Sequence, residues 1–370
     1  MTVFPDHLRD LEQLGQRDRL RTLSPRTGRD FSSNDYLGLG GSHALRSAVR
    51  DALEQGVPVG SGGSRLLRGN HAEHEALEAE AATFFGAEAS LFFSTGYAAN
   101  AALLATLPQR GDLVVHDALI HASAHEGMRA GRADCVAAAH NDVAAFADAI
   151  GQWRTSGGRG RVWLVVESLY SMDGDRAPLN DLAQLADAAN AVLIVDEAHA
   201  TGVFGRDGRG FCADLERRDK LITLHTCGKA LGCEGALVAA PRIFVDFLVN
   251  RARSFIFSTA PSPLMASAVR AALRIVAGEP ERRADLHARI DLAHRLLVPR
   301  GASDTGSQIM PVIIGEDAPT MACAASLQSA GFDVRGIRPP TIPNGTARLR
   351  LSITLNTTPD DIEALAEALA

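Results

Sequence analysis

The chain has 370 residues, enough for two domains or for one large domain with an appendage. Hydrophobic residues make up 46% and charged residues 22%, ordinary globular usage. The net charge of −7 leaves no general attraction to nucleic acid or to an anionic membrane. No apolar stretch reaches membrane-span length, and Met1-Thr-Val-Phe-Pro-Asp-His7 lacks the basic and apolar regions of a signal peptide. The five cysteines, Cys135, Cys212, Cys227, Cys233 and Cys323, are scattered and odd in number, which predicts free thiols in a reducing compartment. A cytoplasmic location is expected. Cys227 and Cys233 do not have a common zinc spacing, so no metal is expected.

Residues 1–30 read as a polar, arginine-rich helix followed by a turn. Phe31 to Leu39 reads as an ordered loop. Gly60-Ser-Gly-Gly-Ser-Arg-Leu-Leu-Arg-Gly69 is either an anion-contacting loop or a flexible surface loop. No strand precedes it, so it is not a dinucleotide fingerprint. His74–Phe85 predicts an amphipathic helix ending at Gly86. Short apolar runs then predict strands at 90–93, 113–116, 136–139, 162–167, 192–196, 221–224 and 236–239. Helices are predicted between most of them, at about 96–107, 119–131, 142–153 and 179–190. Strands that are apolar on both faces predict a buried, mainly parallel sheet of seven strands, with its ligands at the carboxyl ends. Helices at 262–277 and 281–298 follow. A smaller α/β domain closes the chain, with strands near 310–314 and 347–353 and helices at 319–330 and after Thr358-Pro-Asp-Asp361. The expected division is an N-terminal arm at 1–43, a large domain at 44–278 and a small domain at 279–370.

Of 37 basic residues, only Lys220 and Lys229 are lysine. Lys220 lies in the charged run Glu216-Arg-Arg-Asp-Lys220, read as a solvated helix end. Lys229 follows an apolar strand and lies between Gly228 and Gly232. An amine can lose its proton, whereas a guanidinium stays charged. The other polar residues fall at strand ends. Ser94-Thr-Gly-Tyr97 opens a helix, as a plain cap or as a phosphate site. His121 is either structural or a flat ring for a bound aromatic. Ser171 and nearby acids are ligand contacts or turn formers. Asp196-Glu-Ala-His199 also spells a helicase box. However, the Gly228-Lys229 pair follows it, Thr223 replaces the first glycine of a phosphate loop and Ala230 follows the lysine, so that reading fails. Together these residues meet the needs of pyridoxal 5′-phosphate. Lys229 can form a Schiff base, and Ser94–Tyr97 with Thr226 can anchor the phosphate. Asp196 suits the ring nitrogen, His199 the phenolic oxygen and His121 the ring face.

These segments resemble the motifs of the α-oxoamine synthases, within the aspartate-aminotransferase-like fold of pyridoxal-phosphate enzymes. The resemblance also covers Ser33-Asn-Asp-Tyr-Leu-Gly-Leu39, Gly60–Arg65, Ala99-Asn100, His121-Ala-Ser123 and Ser171-Met-Asp-Gly-Asp175, and runs from about residue 20 to the C-terminus. It implies a fold-type-I α/β enzyme. Thr95, Gly96, Tyr97, His121, Ser171, Asp196, His199, Thr226 and Lys229 would bind the cofactor, with Lys229, His121, Asp196 and His199 catalytic. Ser258 and Thr259 would reach the cofactor phosphate of a homodimeric partner. Arg21, Asn34, Arg338 and Thr341 would bind substrate. Four family activities compete: condensation of alanine with a pimeloyl thioester, glycine C-acetyl transfer, 5-aminolevulinate synthesis and serine palmitoyl transfer. Arg338-Pro-Pro-Thr-Ile-Pro343, followed by Gly345-Thr-Ala-Arg-Leu-Arg350, is most similar to the first. The implied reaction joins L-alanine to pimeloyl-CoA or pimeloyl-ACP, with loss of the carrier and CO2, in biotin synthesis. An aminotransferase of the same fold is the farther alternative.

Overall fold

The structure, a computed structural model, describes residues 4–215 and 218–369. Glu216 and Arg217 of the charged run, and the first three residues, lie outside the described residues. The chain divides into two compact units. One holds Leu37–Tyr170 and Arg176–Arg283; the other holds the residues up to Tyr36, Ser171–Asp175 and the chain from Ala284 onward.

The larger unit is built on seven strands: β1 (Ala89–Phe93), β2 (Leu113–Asp117), β3 (Asp134–Ala138), β4 (Val162–Glu167), β5 (Val192–Asp196), β6 (Leu221–Thr226) and β7 (Ala236–Ala240). Their spatial order is β1-β7-β6-β5-β4-β2-β3. β7 runs antiparallel to both neighbours, and the other pairings are parallel. The carboxyl ends of β1 to β6 therefore share one edge of the sheet.

Burial on both faces explains the apolar runs. Val192 and Ile194 pack into one core with Leu103, Leu104 and Phe255, and Leu193 and Val195 into another with Phe146 and Leu182. Alternate residues of one strand thus serve opposite faces. Each such side chain contributes about 1.5–3 kcal/mol by leaving water. β3, at the sheet edge, is exposed over most of its length. Two helices of this unit, His43–Glu54 and Arg242–Arg251, are not predicted from the sequence. No helix among the described residues is long and apolar enough to cross a membrane.

The smaller unit has a three-stranded antiparallel sheet with Ala347–Ser352 between Arg335–Ile337 and Ile309–Gly315. The strand Arg335–Ile337 is too short to announce itself. Arg29–Asp30 pairs in parallel with Phe332–Asp333. The closing helix, Pro359–Ala368, starts at a reciprocal cap. Asp361 N–H donates to the Thr358 hydroxyl, and Thr358 N–H donates to the Asp361 carboxylate.

Candidate active site

The turn after β6 presents Lys229. Cys227 N–H donates to Gly235 O, Cys233 N–H to Cys227 O and Gly232 N–H to Lys229 O, each at 2.8 Å. The turn is thus closed by its own backbone. Gly232 has φ +62°, and a Cβ there would lie 2.3 Å from Gly40 N. Both the handedness and the close approach require glycine. Lys229 Nζ lies 2.7 Å from His199 Nε2. The five cysteines are free thiols.

Asp196 ends β5 and is buried. One carboxylate oxygen accepts from Ala198 N–H at 2.9 Å, the other from Asn100 Nδ2 at 2.7 Å. The next residue, Glu197, is fully buried and accepts from the N–H groups of Phe211 and Cys212 at 3.0 and 2.7 Å. Burial pushes the Glu197 carboxyl above its usual pKa, against the donors that favour its ionised form. Adjacent carboxylates thus do different work: Asp196 binds the Asn100 amide, and Glu197 fastens the backbone at 211–212.

His121 precedes the helix Ala122–Ala130 and caps it, its Nδ1 accepting from Ser123 N–H at 3.2 Å. The residue is exposed by surface area. Even so, the protein packed around the ring makes desolvation the main influence and lowers its pKa. Asp196 opposes that shift and Lys229 reinforces it. Asp196 and Lys229 therefore both lie within electrostatic reach of His121.

The helix Gly96–Thr106 starts after β1. Thr95 caps it, its hydroxyl accepting from Ala98 N–H at 3.0 Å. The N–H groups of Gly96 and Tyr97 head the helix, where intrahelical partners do not exist. A Cβ on Gly96 would lie 3.5 Å from the Thr226 hydroxyl, which puts β6 beside this helix start. Ser258 and Thr259 are in the same unit, after the helix Arg253–Ile256, and Ser258 Oγ donates to Thr259 O at 3.3 Å. The glycine-rich loop 60–69 is ordered: Gly69 N–H donates to Ser64 O at 2.9 Å, and Arg65 pairs with both oxygens of Glu78 at 2.8 and 2.9 Å.

Ser171, Arg21, Asn34, Arg338 and Thr341 belong to the smaller unit. Arg350 is buried and donates to Ser171 O at 2.6 Å, Ser352 Oγ at 2.8 Å and Asn34 Oδ1 at 3.1 Å. Buried Arg348 pairs with Asp173. Arg21 donates to Thr341 Oγ1 at 3.2 Å, and Arg338 donates to Asp18 O. Neither Arg21 nor Arg338 has a carboxylate ion pair among the described residues. Burial and the nearby Arg21 charge lower the Arg338 pKa, partly offset by Asp317 and Asp18.

Sequence reasoning missed the role of Asn100 and Ser123. Asn100 is buried in a helix, donating to Asp196 and, at 3.1 Å, to Ser123 Oγ. A buried asparagine among alanines and leucines was the available signal, since such an amide needs partners.

Residues 27–369 match the family model described as aminotransferase class I and II. A curated 8-amino-7-oxononanoate synthase from Geobacter sulfurreducens is 41% identical, covering 98% of this chain and 96% of its own length. One of the same name from Anaeromyxobacter dehalogenans is 40% identical, covering 98% and 93%. A solved serine palmitoyltransferase from S. paucimobilis, with bound PLP–myriocin aldimine, superposes with a TM-score of 0.90 at 26% identity, covering 100% of this chain and 98% of that one. An 8-amino-7-oxononanoate synthase from Francisella tularensis gives 0.76 at 27%, covering 92% and 96%.

Proposed function

The chain belongs to the aminotransferase class I and II family, and from that premise we propose that it joins L-alanine to pimeloyl-CoA or pimeloyl-ACP. The products are 8-amino-7-oxononanoate, the free carrier and CO2, a step of biotin synthesis. The chain is an enzyme of the α-oxoamine synthase type, and its cofactor is pyridoxal 5′-phosphate.

The residues present fit that cofactor. Lys229 offers an amine to an aldehyde, and Asp196 a carboxylate to a ring nitrogen. The start of the helix Gly96–Thr106, with Thr95, Tyr97 and the Thr226 hydroxyl, offers N–H and O–H donors to a phosphate. When bound, the cofactor supplies an electron sink for the carbon that loses a proton or a carboxylate. Asp196, fixed by two donors, would hold a proton at the ring nitrogen. His121 would cover the ring face, and His199 would serve the phenolic oxygen. The Lys229 amine would take the proton from alanine Cα. Ser171 would be a further cofactor contact. Arg338 receives a substrate carboxylate, with Arg21, Asn34 and Thr341 as additional substrate contacts. The enzyme works as a cytoplasmic homodimer, with Ser258 and Thr259 serving the partner's cofactor phosphate. Light scattering that found an active monomer would overturn the dimer.

A fixed Asp196 carboxylate and a lysine amine that both bear on His121 carry this reading, in a chain 40–41% identical to relatives named for the reaction. The higher TM-score to serine palmitoyltransferase favours one second reading, serine with a long acyl thioester. Thiol release across a panel of amino acids and acyl thioesters separates the two. The expected signal comes from alanine with the pimeloyl thioester. Signal only from serine with palmitoyl-CoA, or from glycine with acetyl-CoA, would replace the reading.

A further inference from the structure

We propose that Asn100 and Ser123 are positioning residues that tie His121 to the Asp196 carboxylate through hydrogen bonds and fix that imidazole in one neutral tautomer. The inference rests on the reading of His121 as the ring-covering residue and deepens it.

The chain of contacts has a forced direction. The Asp196 carboxylate is an acceptor, so Asn100 must face it with its NH2 group, at 2.7 Å. That group has two hydrogens. The second points to Ser123 Oγ at 3.1 Å, which makes the serine oxygen an acceptor there. Ser123 N–H donates to His121 Nδ1 at 3.2 Å, which makes that nitrogen an acceptor. The Ser123 hydroxyl, 2.7 Å from the same nitrogen, therefore donates its hydrogen to it. Two donors aimed at Nδ1 require it to be unprotonated. The neutral ring therefore carries its hydrogen on Nε2.

Asn100 and Ser123 are buried, so the links from Asp196 to Asn100 and on to Ser123 are shielded from water. A buried amide with both hydrogens spent on one carboxylate and one hydroxyl cannot turn over without stranding a donor. The groups bearing on the His121 charge are Asp196 at the end of β5, Lys229 after β6 and His125 on its own helix. Asp196 alone among them favours imidazolium. The relay spends that carboxylate on Asn100 and delivers a donor, not an acceptor, to Nδ1.

Histidine-selective 15N–1H spectra of the full chain, without and with pyridoxal 5′-phosphate, test this. The His121 signal is identified by its loss in His121→Gln. Wild type is expected to show unprotonated Nδ1 and protonated Nε2 at neutral pH in both states. Ser123→Ala keeps the longer N–H contact but loses the hydroxyl. Its His121 should show a mixture of tautomers and titrate about half to one pH unit higher. Asn100→Leu, close in volume, should shift in the same direction. Ser123→Thr keeps a hydroxyl and should restore the wild-type tautomer. Protonated Nδ1 in wild type, or an unchanged tautomer and midpoint in both Ser123→Ala and Asn100→Leu, would overturn the proposal. The cofactor-free spectra do not depend on binding. If the cofactor fails to bind, the functional reading falls while the relay is still judged.

Discussion

The two units use polar side chains in opposite ways. In the larger one, buried Asp196, His199 and Asn100 hold the groups that would touch a ligand, and the one cation among them is a lysine. In the smaller one, buried Arg348 and Arg350 spend their donors on backbone carbonyls, hydroxyls and a carboxylate of their own unit. Arginine, always charged and rich in donors, suits clamping. Only a group that can give up its proton suits the role proposed for Lys229. On that reading the arginine bias of the composition is harmless wherever a cation only binds, and chemically intolerable at Lys229.

Substitutions in the two units should therefore separate chemistry from stability. The largest expected effect is Asp196→Ala: turnover falls by about 10²–10³-fold, the scale of losing one preorganised electrostatic partner, while stability falls by about 1–3 kcal/mol because the buried Asn100 amide and Ala198 N–H lose their acceptor. Thiol-release kinetics with a melting curve checks this. An equal loss of fold and rate would erase the contrast. Gly232→Ala should destabilise by about 1–3 kcal/mol for the left-handed backbone alone, with the clash at Gly40 added, measured by urea unfolding.

Arg350→Ala should cost about 1–3 kcal/mol by stranding its acceptors, again read by urea unfolding. By contrast, Arg338→Ala should leave stability within about 0.5 kcal/mol and raise the KM for the amino acid, seen in steady-state kinetics. Reversed outcomes for these two arginines would collapse the distinction between clamp and binder.

A separate test concerns pH. His225 is fully buried between the hydroxyls of Thr201 and Thr223, each at 2.8 Å, and stacks on Phe85. Burial holds its pKa at about 3, against 6.5 for the ordinary group. The unfolded chain therefore binds the extra proton first. The stability contributed by the neutral ring is complete above pH 6.5. It is lost as pH falls toward 3, by up to about 1.4 kcal/mol per unit. His225→Gln should flatten that acid slope in pH-dependent denaturation.

The sheet and the order of its chemistry were legible because buried strands carry a local signal. Val162–Glu167 and Val192–Asp196 are apolar on both faces and end in acids, and the structure gives those same bounds. The helix predicted from residue 119 begins at Ala122, because His121 caps it through a ring nitrogen, a role composition rules assign to serine or aspartate. The same holds for His71 before the helix Ala72–Phe84. The Asn100–Ser123 relay was not legible. Its partners are separated by 23 and 96 residues, and only the pairing of the strands brings them together.

The contrast rests on Lys229 being an amine, and Lys229→Arg keeps the charge while removing that property. The measurement is the visible absorbance of the protein loaded with pyridoxal 5′-phosphate, with wild type beside the variant. Wild type is expected to absorb and to lose that band in Lys229→Arg, with the melting temperature unchanged. A band that persists in Lys229→Arg, at wild-type intensity, would contradict the account.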